Sequence, residues 1–175
     1  YIGGIDKLKN TAGLVRAFAS VARAAFARHQ LVLVGPTYWL DRDIKDAIAA
    51  ADLGGRILLA GPHGGEDLVR FYGAADLFVF PTFYEGWTSP PLEAMACGVP
   101  VVASNASSVP ETVGDAAVLV DPNDPAAIAR GMCRVLEDAS LRQALTAKGF
   151  ARAALFTWEK TVKSTVELYA RLGAR

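Results

Sequence analysis

The chain has 175 residues, of which 52% are apolar and 21% charged, and its eighteen basic side chains balance eighteen acidic ones. This is enough chain for one substantial core and too apolar for a disordered segment. The charge balance removes the electrostatic case for a nucleic-acid partner, and no apolar run is long enough to cross a bilayer. Residues 1–4 read as the end of a strand closed by a glycine pair. A domain seldom opens inside a buried strand, so the expectation is a fragment whose other domain precedes Tyr1. Asn10 or Thr11 is placed to cap a first helix, in which Leu14, Phe18, Val21 and Ala25 recur on one face.

The pattern then alternates. Apolar runs at 31–34, 57–60, 77–80, 100–103 and 117–120 read as strands, which with residues 1–4 makes six. Helical stretches at about 41–53 and 66–74 lie between them. Ser108-Val109-Pro110-Glu111 has the spacing of a capping box, opening a short helix that ends by Gly114. Asp124-Pro125 is an N-cap followed by proline at the first helical position. Helices are expected to about residue 138, over roughly 141–154, and finally over 157–173, capped by Thr157 with Val162, Val166 and Tyr169 on one face. Met95 and the two cysteines, Cys97 and Cys133, read as core residues without metal-ligand spacing, in a reducing compartment. Trp39 and Trp158 read as packing residues. Alternation of this kind predicts an α/β fold: a Rossmann-like, three-layer α/β/α domain with a mainly parallel six-stranded sheet. Ligands in such folds sit outside the carboxyl ends of the strands.

Chemistry concentrates in the loop and helix start from Phe83 to Glu93. Glu85 precedes the helix and Glu93 lies in its first turns, eight residues on. Pro90 and Pro91 occupy the turn where missing N–H groups cost nothing, with Thr88 or Ser89 as N-cap. Gly86, lacking a Cβ, permits close approach, and the amides of residues 86–89 suit a phosphate. From Glu85 to Val102 the stretch resembles the paired-glutamate signature of retaining GT-B-type glycosyltransferases of family 4. Glu85, Gly86, Pro90, Leu92, Glu93, Ala94, Met95, Gly98 and Pro100 stand at the matching positions. Thr88 replaces a usual glycine and Ser89 a usual aliphatic residue. The loop from Gly3 to Asn10 resembles the family's first loop, with Lys9 at the lysine position and Gly4 where an arginine is usual. Ser107-Ser108-Val109-Pro110-Glu111 follows the family's fifth strand, and its polar groups are expected to cap first and meet ligand second.

The resemblance implies that residues 1–175 form the C-terminal, donor-binding half of a GT-B fold. It implies retaining transfer from a nucleotide-diphosphate sugar, without metal or other cofactor. By the match, Lys9 holds the diphosphate and Glu85 meets the transferred sugar, as nucleophile or as charge stabiliser, these two being the catalytic residues. Glu93 accepts hydrogen bonds from the ribose. Gly3, Gly4, Gly61, Pro62, His63, Gly86, Trp87, Thr88 and Ser89 line the donor site, His63 as part of the nucleobase end and Trp87 as a wall toward sugar or partner domain. The first loop leans toward GDP-mannose and a mannosyltransferase. An N-terminal domain of the same protein, and through it a saccharide or lipid-linked acceptor, are the implied partners. The implied location is cytoplasmic, with peripheral contact at the inner membrane face left to the missing half. Two further readings stay open: a degenerate binding or scaffolding module, to which Gly4, Thr88 and Ser89 point, and another GT-B-like enzyme such as an epimerase or a sucrose-type synthase.

Overall fold

The computed structural model describes residues 1–24, 26–37 and 41–173. Ala25, expected on the first helix face, and Trp39 lie outside the described residues. The chain alternates β and α as the apolar pattern requires: α1 (Thr11–Ala24), β1 (Leu31–Val34), α2 (Arg42–Ala51), β2 (Ile57–Gly61), α3 (Glu66–Gly73), β3 (Phe78–Phe80), α4 (Pro90–Ala96), β4 (Val101–Ser104), α5 (Val109–Val113) and β5 (Ala117–Val120). Three helices close it: α6 (Pro125–Glu137), α7 (Ala139–Ala153) and α8 (Trp158–Gly173).

All strand pairs are parallel, β1 with β2 in one ladder and β3–β4–β5 in another. The described residues thus hold five strands, not six. Residues 1–4 contribute a single parallel bridge, Ile2 to Val34. Gly3, at φ +149°, takes the chain out of extended geometry before a ladder can grow. Ile2 therefore lies beside β1 on the side away from β2, and the Tyr1 ring stacks on Phe80 of β3, 6.0 Å between centroids. From this first segment the chain winds outward to β1 and β2, then returns to build β3, β4 and β5 on the other side. The reversal of strand order falls between residues 1–4 and β3. That is where open α/β sheets leave a crevice at their carboxyl edge.

Burial follows the pattern. Leu14, Phe18 and Val21 of α1 are buried, as are Leu31, Leu33 and Val34 of β1 and the whole of β3 and β4. β2 is the edge strand of its pair, and Leu58 and Leu59 stay exposed there. α1 packs against α2 and α6, and α4 against α7. The Asp124 carboxylate caps α6 at Ala126 N (2.8 Å), and Thr157 Oγ1 accepts from Lys160 N (3.2 Å) at the start of α8. At the last helix, the departure is Trp158, which from sequence reads as a packing residue. Trp158 is 85% exposed and no residue of α8 is buried, so Val162, Val166 and Tyr169 share a face that this chain does not cover.

Candidate active site

Loops that leave the carboxyl ends of the strands are stitched side by side. Gly3 N donates to Val34 O (2.9 Å), Gly35 N to Gly61 O (2.8 Å), Ile5 N to Pro36 O (3.1 Å) and Phe83 N to Leu8 O (3.0 Å). A Cβ at Gly35 would fall 1.8 Å from Gly3 O, so the first two loops meet at a distance only glycine allows. Across the crevice, Asn10 is buried in the left-handed region and its amide donates to Pro81 O (3.0 Å) and Pro122 O (2.7 Å). Its side chain ties three loops together instead of capping α1.

Lys9 and Glu85 meet at the centre of this edge. Lys9 Nζ donates to Glu85 Oε1 at 2.6 Å, joining the loop after the first segment to the loop after β3. Lys9 N donates to Asp6 Oδ1 (2.9 Å), which fixes the turn that presents the lysine. At Gly4, a Cβ would stand 2.8 Å from Asp6 Oδ2, so the aspartate carboxylate fills space beside the position of the family arginine. The Tyr1 hydroxyl donates to Gly4 O (2.7 Å). Burial, with the nearby charges of Asp6 and Glu85, pushes that phenol well above the ordinary tyrosine range.

Glu85 is also gripped through its peptide. Its N–H donates to Ser107 Oγ (2.9 Å) and its carbonyl accepts from Ser108 Oγ (2.9 Å). Ser108 thus spends its hydroxyl on Glu85 and makes no side-chain cap on α5, contrary to the capping-box expectation. Ser89 holds the N-cap position of α4, again without a side-chain cap bond. Thr88 is buried with its hydroxyl unpartnered. Gly86 and Trp87 are exposed, and Trp87 tilts against Phe156 (5.4 Å between centroids), over which Arg152 also lies.

Glu93 sits in the first turn of α4, where its Oε2 accepts from the Tyr72 hydroxyl at 3.0 Å. Tyr72 is buried on α3, and burial with the charge of Glu93 pushes its phenol well up, so it remains a donor. Gly61, Pro62 and His63 close β2 at the same edge of the sheet, next to Gly35. His63 folds back on its own segment, Nε2 to Ala60 O (3.1 Å) and its ring edge-on to Phe71 (4.8 Å). Cys97 and Cys133 are half-buried free thiols, each pushed up by burial.

The structure brings Lys9 to Glu85 and sets Glu93 against Tyr72; sequence reasoning named Lys9, Glu85 and Glu93 as candidates, but not Tyr72, the loop-tying role of Asn10 or the serine clamp. Asn10 and the pair Ser107-Ser108 did leave a sequence signal, and in both it pointed to helix capping and not to the partners found.

The model of the family described as "Glycosyl transferases group 1" matches residues 1–152. The chain belongs to the group 1 glycosyltransferases. O-antigen chain mannosyltransferase B of Escherichia coli is 41% identical over 172 residues, covering 98% of this chain and 45% of that protein. Among solved structures, the sucrose-phosphate synthase of Thermosynechococcus elongatus is 32% identical with a TM-score of 0.84, over 99% of this chain and 45% of its own. Anabaena HepE, solved in complex with UDP, has a TM-score of 0.82 at 21% identity, over 97% of this chain and 48% of its own, and so speaks for the fold. The GT-B-type, Rossmann-like α/β fold is thereby established for this group 1 glycosyltransferase chain. The chain spans less than half the length of these relatives. No helix among its described residues is long and apolar enough to cross a membrane.

Proposed function

We propose that these residues are the donor-binding half of a retaining glycosyltransferase that takes a nucleotide-diphosphate sugar, with GDP-mannose as the donor. The observation that carries the reading is the Lys9–Glu85 pair, 2.6 Å apart at the reversal point of the sheet, where each charge holds the other ready. A diphosphate entering the crevice takes the lysine from the glutamate, and Lys9 then neutralises the charge that grows on the leaving group. Glu85, released from its partner, turns its negative charge to the electron-poor carbon of the transferred sugar. The amides after Gly86 receive phosphate oxygens, and Glu93 accepts from the ribose hydroxyls. In this reading the lysine, with no metal, supplies the positive charge. The similarity to an enzyme named as a mannosyltransferase supports mannose as the sugar. The remaining length of the relatives supports an N-terminal domain in the same protein that holds a saccharide or lipid-linked acceptor.

Titration calorimetry with GDP, UDP and ADP tests the reading, GDP being expected to bind tightest. Glu85→Ala and Glu93→Ala in the intact polypeptide are expected to abolish transfer while the fold persists. Full activity in both variants, or no binding of any of the three nucleotides at millimolar concentration, would overturn it.

A further inference from the structure

Glu93 has two carboxylate oxygens, and the fold has already committed one of them. Its Oε2 accepts from the Tyr72 hydroxyl at 3.0 Å. Among the described residues no other side-chain donor reaches this carboxylate, which leaves Oε1 without a side-chain partner. The tyrosine cannot drift. It is 2% exposed, its ring stands edge-on to Phe78 of β3 at 5.5 Å, and it belongs to α3, an element separate from the helix that carries Glu93. The helix cannot rotate to compensate either, because Leu92, Ala94 and Met95 on both sides of Glu93 are buried.

We propose that Tyr72 is a positioning residue: by occupying Oε2 it fixes the Glu93 carboxylate so that Oε1 is presented to the ribose diol of the nucleotide, and so sets selectivity for a ribonucleoside donor. The inference rests on the ribose-binding reading of Glu93 given above. A carboxylate at the end of a flexible side chain must be ordered before it can accept from two neighbouring hydroxyls, and a fixed donor removes that cost in advance.

The test compares GDP with 2′,3′-dideoxy-GDP, and UDP and ADP with their dideoxy forms, by calorimetry on the intact polypeptide. Tyr72→Phe keeps the ring against Phe78 and removes only the hydroxyl. It is expected to weaken ribonucleotide binding on the order of tenfold and to leave dideoxynucleotide binding unchanged. Equal weakening of both forms would mean that Tyr72 merely supports the fold, and no weakening would mean that Glu93 needs no such help. Either result overturns the proposal. Glu93→Gln separates the two levels. If it collapses the ribose preference and Tyr72→Phe does not, this inference alone fails. If Glu93→Gln leaves the preference intact, the ribose reading of Glu93 fails, and this inference with it. Absence of binding by all three ribonucleotides sinks both.

Discussion

Glu85 is anchored at three points from two distant parts of the chain: Lys9 on the carboxylate, and the adjacent Ser107 on the amide and Ser108 on the carbonyl. The two serines act on the peptide, not on a ligand, so their effect on chemistry is one of aim. Converting both to alanine is expected to lower kcat about 10- to 100-fold, because sub-ångström misplacement of a reacting group is costly, while the donor KM changes little. Initial-rate kinetics on the intact polypeptide decide this; a raised donor KM at unchanged kcat would instead put the hydroxyls on the donor. Why the clamp was illegible is instructive. Ser108 to Glu111 has capping-box spacing, and nothing local says that the hydroxyl will prefer a carbonyl 23 residues away. Tyr72 is hidden for the same reason: its partner is 21 residues on, in another helix. Glu85 and Glu93 could be named because they belong to a run of fixed spacing, and Lys9 because the loop from Gly3 to Asn10 has a pattern of its own, from which Gly4 departs.

At the level of elements, local signals served well where local chemistry decides. Asp124-Pro125 caps α6 and Thr157 opens α8 as their residue types require, and the apolar run at Leu31–Val34 is a strand from end to end. They served less well where the outcome depends on neighbours. The first segment has strand-like residues, but its glycine ends it after one bridge. The contact of α6 with the sheet depends on another glycine that a pattern of apolar spacing does not reveal. A Cβ at Gly131 would lie 2.7 Å from Val120 Cγ1 and 3.2 Å from Val102 Cγ1, so the helix sits as close to β4 and β5 as a hydrogen allows. Gly131→Ala therefore overpacks the core in spite of alanine's better helix propensity, and is expected to cost about 1–3 kcal/mol. Chemical denaturation measures it. An alanine variant as stable as the parent would mean that α6 can move outward freely, and that the close approach has no energetic content.

Across the whole molecule, the site is an edge and not an enclosure. The Lys9–Glu85 pair is largely covered, while the loop at Gly86–Trp87 beside it is exposed at the carboxyl edge of the sheet. Sugar transfer needs water kept from an activated carbon, which one wall cannot do. The helix that follows has the character of a surface meant for company: Trp158, Val162, Val166 and Tyr169 are all more than half exposed, with Phe156 at its root in contact with Trp87 of the binding loop. An apolar stripe of this size on one helix is unusual for a surface that meets only water. Two consequences can be separated by experiment. Residues 1–175 alone are expected to bind the nucleotide weakly and to transfer no sugar, and measurable turnover by them would contradict the two-walled view. Val162→Asp with Val166→Asp is expected to change the stability of residues 1–175 by less than about 0.5 kcal/mol, since exposed positions contribute little, yet to lower transfer by the intact polypeptide sharply. If the double variant instead unfolds the 175-residue chain, α8 is held by this domain after all, and the stripe has no partner to wait for.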